Sequence, residues 1–291
     1  MQYIAGIDIG GTNLKLGIFD ETGRCVYSDL EHSERGDSQV IAAQIVKMLG
    51  KSSYKVCKIG AGVPGVVYRP GGRVVSGNLQ WNGEPFEAQL SKLTGLPVRI
   101  DNDAQVAMMA ETMPGGACHG LKNCLYLTLG TGVGGAILLD GKPWRGHDNA
   151  GAELGHIITH AGGLRCGCGM RGCFEMYASA GALSRFAGGV RARTVIDDAR
   201  RGDKRMRSAL SMYARELSNG ICSLYMIFKP QAIVLGGGLS AGSDLLIPLV
   251  LEHVQDGYGV NKATMEQVLK VATARNDAGM AGAAELARVM L

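Results

Sequence analysis

No apolar run in this 291-residue chain reaches membrane-spanning length. The N-terminus enters an alternating strand at once, without the basic segment, apolar core or small-residue cleavage site of a secretory leader. These absences exclude a membrane-embedded protein and point to the cytoplasm. Charge of one sign is also scarce: the formal net charge is +4, and the main basic cluster, Arg185 to Arg207, is interrupted by Asp197, Asp198 and Asp203. That cluster reads as a solvated helical face, so nucleic acid is not an expected partner. The Walker pattern is missing, since no glycine pair at the required spacing precedes Lys-Ser or Lys-Thr, which excludes a P-loop enzyme. Low-complexity tracts and long linkers are absent too. A composition of 46% apolar and 19% charged residues supplies sizeable cores for two globular domains. Cys25, Cys57, Cys118, Cys124 and Cys222 are scattered and odd in number, so no disulfide framework is expected.

The remaining three cysteines are not scattered. Ala150-Gly-Ala-Glu-Leu-Gly-His156 is followed, ten residues after the histidine, by Cys166-Gly-Cys168-Gly-Met-Arg-Gly-Cys173-Phe-Glu175. Three thiols and one imidazole close a tetrahedral zinc site, whereas cysteines in a glycine-rich loop are poorly placed as core hydrophobes. Such a site is structural, because four protein ligands leave no position for an activated water. If one imidazole nitrogen of His156 holds the metal, the other is fixed in orientation and faces whatever lies between Glu153 and Glu175, a setting suited to a polyol. His160 is the rival fourth ligand.

Residues 3–9 alternate like a strand, Gly10-Gly11-Thr12 makes a tight turn, and residues 15–19 alternate again, which reads as a β-hairpin. A strand at 25–30, an amphipathic helix at 38–49 and a buried strand at 58–63 follow. A short strand at 98–100 runs into Asp101-Asn102-Asp103 and a helix ending near Pro114. The strand-glycine-strand theme recurs at 124–140 around Gly130-Thr131-Gly132, which suggests two related halves. Beyond the cysteine loop, 179–227 reads as mostly helical with weak points at Gly202 and Gly220. A buried strand at 232–235 closes on Gly236-Gly237-Gly238, a helix spans 244–255, and a small-residue helix covers 279–291.

Gly10 to Thr12 and Gly130 to Gly132 follow one physical logic. Without β-carbons the backbone approaches a phosphate closely, and consecutive N–H groups form an anion nest to which Thr12 and Thr131 add hydroxyls. Plain hairpin turns are the alternative. Asp8, placed to hold a hydrated Mg²⁺, and nearby Lys15 favour phosphate. Gly130 to Gly135 matches GxGxxG but precedes a strand, where a dinucleotide fold needs a helix; Gly236-Gly237-Gly238 has the better context for an adenine nucleotide. Asp103, at a helix start, is either an N-cap or a general base kept ionised by the helix dipole.

With Asp8-Ile-Gly-Gly-Thr12, Asn78-Leu-Gln-Trp81, Asn102-Asp103-Ala104, Leu129-Gly-Thr-Gly-Val-Gly-Gly135, Gly151-Ala-Glu-Leu-Gly-His156 and the cysteine loop in this order, the chain resembles the ROK family of bacterial sugar kinases and repressors. The resemblance implies an actin-like, hexokinase-like (RNase H-like) ATPase fold of class α/β, with two domains around an interdomain cleft, and a homodimer or homotetramer. An N-terminal α/β domain of residues 1–104, joined by the helix 279–291, and a C-terminal domain of 105–278 carrying the zinc loop are expected. By the same resemblance Asp103 is the base that activates a sugar's primary hydroxyl. Asn78, Asn102, Glu153, His156 and Glu175 hold the other hydroxyls, and Gly65 lines the pocket. His156, Cys166, Cys168 and Cys173 are the zinc ligands. Gly10, Gly11, Thr12, Thr131 and Gly132 take the ATP phosphates, with Gly236 and Gly237 on the adenosine side.

The expected activity is Mg²⁺- and ATP-dependent phosphorylation of a hexose, foremost glucose. Fructose, mannose, allose and N-acetylmannosamine are alternatives. A sugar-responsive repressor is disfavoured, since the first strand begins at Tyr3 with no room for a helix-turn-helix, and a dehydrogenase would leave two phosphate loops unexplained. Gln105 departs from the family pattern, in which asparagine or another small polar residue is common.

Overall fold

The structure, a computed structural model, describes residues 2–34, 36–274 and 278–290. Leu291, the expected end of the last helix, lies outside them, as do positions 275–277 of the expected second domain. In chain order the elements are β1 (Tyr3–Ile9), β2 (Asn13–Phe19), β3 (Cys25–His32), α1 (Ser38–Gly50), β4 (Val56–Val63), β5 (Val66–Tyr68), β6 (Arg73–Ser76), β7 (Trp81–Glu84), α2 (Phe86–Thr94), β8 (Val98–Asn102) and α3 (Asp103–Thr112). There follow β9 (Cys124–Leu129), β10 (Val133–Leu139), β11 (Lys142–Trp144), α4 (Glu175–Ala178), α5 (Ala180–Phe186), α6 (Ala192–Arg200), α7 (Lys204–Phe228), β12 (Ala232–Gly236), α8 (Ser243–Glu252), α9 (Lys262–Val268), β13 (Leu269–Val271) and α10 (Ala278–Met290). Among the described residues no helix is long and apolar enough to cross a membrane.

The chain divides into two compact units. The first comprises residues 1–119, 143–151 and 274–291, the second 120–142 and 152–273. This differs from the expected boundary after residue 104. Helix α3 stays with the first unit because Gly282 of α10 lacks a β-carbon where the Val106 carbonyl oxygen lies, so the two helices touch through their backbones. The segment 143–151 likewise belongs to the first unit although both its flanks belong to the second.

In the first unit the sheet order is β3-β2-β1-β4-β8. The hairpin β1–β2 is antiparallel, and β4 and β8 run parallel to β1. The period-two alternation of β1 is explicit: Ala5, Ile7 and Ile9 join the apolar cluster under α1, with Ile41, Ile45 and Met48. Ile4 and Gly6 turn instead to α10. A β-carbon at Gly6 would coincide with the Met280 carbonyl, and one at Gly60 with that of Ala283, so these glycines admit the helix to the sheet surface. A second, three-stranded antiparallel sheet, β5-β6-β7, rises from residues to which the sequence reading assigned no element.

The second unit repeats the pattern. Its order is β11-β10-β9-β12-β13, with an antiparallel β9–β10 hairpin and β12 and β13 parallel to β9. Position for position this is the topology of the first sheet, which is the related-halves architecture of the actin-like fold. Helix α7 buries Met206, Leu210, Tyr213, Leu217, Ile221 and Leu224, spaced three or four apart. Gly202 does separate α6 from α7, whereas Gly220 lies within the unbroken helix and makes room for the ring of Phe174.

Candidate active site and metal centre

Asp8 and Lys15 stand opposite each other in the β1–β2 hairpin register. The Lys15 Nζ lies 3.7 Å from an Asp8 carboxylate oxygen, and both side chains are 27% exposed. Burial raises the Asp8 pKa above its ordinary value, against the opposing pull of Lys15. The turn between the strands is closed by the Gly10 N–H donating to the Asn13 carbonyl at 2.9 Å. Gly11 has open space where a β-carbon would stand, and Thr12 is exposed, so this tip has the bare backbone that an anion requires.

At the end of β8, Asn102 is the N-cap of α3. Its Oδ1 accepts from Ala104 N–H at 2.9 Å and from Gln105 N–H at 3.4 Å, while its Nδ2 donates to the Gly65 carbonyl at 2.8 Å. Gly65 has φ +117°, and a β-carbon there would strike the Val75 carbonyl, so its backbone position demands glycine. Asp103 is therefore not the cap that local propensity made plausible. It is the first residue of the helix and is exposed. Asn78 is exposed on the β6–β7 turn, beside buried Leu79 and Trp81, whose indole N–H donates to the Gly36 carbonyl at 2.8 Å.

In the second unit, Gly130 N–H donates to the Gly132 carbonyl at 2.9 Å, shaping the β9–β10 turn, and Thr131 at its tip is exposed. The loop is tied from behind by Glu175. One Glu175 oxygen accepts from the Val133 N–H at 3.0 Å, and the other lies 3.6 Å from the Cys166 sulfur. A β-carbon on Gly132 would collide with the Glu175 carboxylate. One oxygen of Glu175, expected to hold a sugar hydroxyl, is thus committed to the turn. Gly236 ends β12 against the Tyr126 hydroxyl, and Gly237, at φ +80°, packs on the Leu129 backbone. Both are required by packing; Gly238, next along, has open space where a β-carbon would stand.

His156, Cys166, Cys168 and Cys173 each present one ligand atom, and these atoms all lie within 4.8 Å of one another. Cys168 and Cys173 sulfurs are 3.6 Å apart, as are the Cys166 sulfur and His156 Nδ1. A tetrahedral zinc with sulfur at about 2.3 Å and nitrogen at about 2.0 Å has ligand–ligand edges of roughly 3.5–3.8 Å, which these two separations match, and the donor set fits the ion in chemistry. Burial pushes the Cys173 thiol up to about 12, with Cys168 and Cys166 adding to the rise, and a bound cation would displace that proton. His156 Nε2 is then directed to Glu153, 4.0 Å away. Burial raises the Glu153 pKa, His156 opposes the rise and Glu175 adds to it. His160 is engaged elsewhere: its ring stacks on Tyr177 at 3.7 Å and its nitrogens face Glu216 and Thr159.

The sequence model of the ROK family matches residues 4–289. A glucokinase of Streptomyces coelicolor is 33% identical, the alignment covering 99% of this chain and 98% of that one. An N-acetyl-D-glucosamine kinase of Shigella flexneri is 28% identical, covering 97% and 98%. Among solved structures, a ROK family glucokinase from Streptomyces griseus in complex with glucose and AMPPNP superposes with a TM-score of 0.84 at 29% identity, covering 98% of this chain and 99% of that one.

Proposed function

The chain belongs to the ROK family and is an ATP-dependent sugar kinase, and from that premise we propose that it phosphorylates glucose at the primary hydroxyl. The observation that carries this reading is the division of labour at α3. Asn102 takes the cap, and the adjoining carboxylate of Asp103 stands exposed at the helix N-terminus. The partial positive charge at the helix N-terminus favours a negative charge there. Asp103 orients the sugar hydroxyl and accepts its proton as the oxygen–phosphorus bond forms and the bond to the ADP leaving group breaks, a role worth about 10² to 10⁴ in rate.

The remaining roles follow the chemistry of each donor set. Gly11, Thr12, Thr131 and Gly132 donate backbone and hydroxyl hydrogen bonds to the phosphates, Gly10 shapes the first turn, and Gly236 and Gly237 lie on the adenosine side, where the open space is at Gly238. Asp8, a single carboxylate beside the hairpin tip, suits a hydrated Mg²⁺, which keeps most of its waters. When bound, that ion neutralises charge on the transferring phosphoryl group. Asn78, Asn102, Glu153, His156 and Glu175 orient the sugar, with Gly65 holding Asn102 in place. His156, Cys166, Cys168 and Cys173 would hold a structural Zn²⁺, which when bound would fix the His156 ring and leave Nε2 available to a hydroxyl. The 28% identical Shigella kinase supports a second reading, an N-acetylhexosamine as acceptor.

Coupled ADP-release assays with Mg²⁺, ATP and a panel of hexoses and N-acetylhexosamines test the proposal. Glucose is expected to give the highest kcat/KM, and Asp103→Asn to lower kcat by about 10² to 10⁴. No sugar phosphate from any member of the panel, or an unchanged Asp103→Asn, would refute it.

A further inference from the structure

We infer that residues 143–151 form a strap that positions the catalytic base, with Arg145 acting on Asp103 through Asp101. The inference rests on the assignment of Asp103 as that base. It starts from an oddity of chain path: these nine residues leave the second unit, dock on the first, and return just before Ala152 and Glu153.

The docking is dense and polar. Arg145 Nε donates to an Asp101 oxygen at 2.5 Å, and the two side chains are only 12% and 4% exposed. Asn149 Nδ2 donates to the Val67 carbonyl at 2.8 Å and reaches the second Asp101 oxygen at 3.4 Å. The Arg69 N–H donates to the Asp148 carbonyl at 3.0 Å, and Gln105 Nε2 to the Trp144 carbonyl at 3.2 Å. The strap is then closed on itself by Gly151 N–H donating to the Arg145 carbonyl at 2.8 Å. Gln105, the departure from the family pattern, thus has a partner in the strap itself.

Asp101 is the link to chemistry. Its Oδ1 also accepts the N–H of Asn102 at 2.9 Å, so the carboxylate that Arg145 grips fixes the backbone at the strand-to-helix junction. That junction sets the direction of the Asp103 side chain. A buried carboxylate whose guanidinium is removed must find another partner or take up a proton, and either change weakens its hold on the Asn102 N–H. Strand β8 is at the edge of its sheet, with β4 its one neighbour in the strand order, so pairing alone holds the junction from one side. On the other side Glu87 and Arg69 hold the backbone of Ile100, and the strap holds Asp101, next along.

The test compares the full-length wild type with Asn149→Gly, Arg145→Gln and the double variant Asp101→Asn/Arg145→Gln, assayed with ATP and the sugar that the panel selects, with thermal melts alongside. Asn149 has φ +70°, which glycine adopts freely, so that variant removes two hydrogen bonds without backbone strain. The double variant leaves no lone buried charge and keeps hydrogen-bonding groups in place. Arg145→Gln and the double variant are expected to lose about tenfold to a hundredfold in kcat, the double no more than the single, with KM for ATP within about twofold of wild type. Asn149→Gly is expected to lose about threefold to tenfold in kcat/KM for the sugar. Lowered melting temperatures with kcat unchanged in all three variants would overturn the inference, as would a KM for ATP that rises in step with that for the sugar. Asp103→Asn separates the two readings. If it is inactive while the strap variants keep their kcat, the strap alone is refuted; if it retains full kcat, the base and the strap fall together.

Discussion

A single methyl group on Gly132 should disable the second turn proposed to hold phosphate. In the structure the space a β-carbon would take is filled by the Glu175 carboxylate, whose other attachment is the Val133 N–H at 3.0 Å. Gly132→Ala must therefore push Glu175 off that amide or displace the turn. Losing a hydrogen bond to a charged acceptor costs about 1.5–3 kcal/mol, and for a chain of this size each kcal/mol lowers Tm by roughly 2–4 °C. The functional loss should exceed the loss of stability, since a misplacement of about 1 Å in a positioning element costs on the order of 10² in rate. Calorimetry and steady-state kinetics read the two separately. The expected result is a Tm lowered by about 3–12 °C and a kcat/KM for ATP lowered about a hundredfold, while Gly11→Ala, with open space at its β-carbon, melts as the wild type does. A Gly132→Ala protein with wild-type kcat/KM for ATP would refute the placement of phosphate at this turn. Relief of the Tm loss by adding Glu175→Ala would identify the clash as its cause.

Asp8→Asn should raise Tm at neutral pH while suppressing phosphoryl transfer. Burial raises the folded pKa of Asp8 above the ordinary 3.8, so the stability this group contributes is present below that value and is lost as pH rises through the raised one. The gain over wild type should therefore grow from about pH 4 upward and vanish in acid, and a gain independent of pH would contradict the burial argument. Cys173→Ser should reduce bound zinc, measured by atomic absorption, from about one per chain to well below, and lower Tm by several degrees; full retention of zinc would show that Cys173 is not a ligand. Glu111→Ala should be among the most destabilising changes, on the order of 3 kcal/mol by denaturant titration. This fully buried carboxylate accepts from the backbone amides of Ala117 and Ala274 at 2.8 and 2.9 Å. A loss below about 1 kcal/mol would mean that water replaces it.

Much of this architecture could be read from residue patterns. Both hairpins were legible from alternating segments around the glycine turns at Gly10 to Thr12 and Gly130 to Gly132, although their strands are buried on both faces almost throughout. The grouping of three thiols and a histidine followed from spacing within one loop, and it is His156 that faces the thiols while His160 stacks on Tyr177. The cap of α3 was ambiguous because Asp101, Asn102 and Asp103 are all good caps, and only backbone geometry selects Asn102. Strands β5, β6 and β7, three or four residues each, are too short for a period to register. The unit boundary was illegible for another reason. It depends on Gly282 meeting the Val106 carbonyl and on Arg145 meeting Asp101, pairs brought together by tertiary packing across 176 and 44 residues of sequence.

The close seating of α10 on Gly6 and Gly60 has a consequence for biosynthesis. A ribosome that has delivered β1 to α3 has made a sheet whose glycine face is bare, and every residue of the second unit must be translated before the covering helix emerges. At about 5–20 residues per second that interval is on the order of 10 to 30 s. Throughout it Ile4, Phe19 and Val106 await partners that do not yet exist, while the later-made half has all its pieces and can finish first. The half begun earliest is completed last.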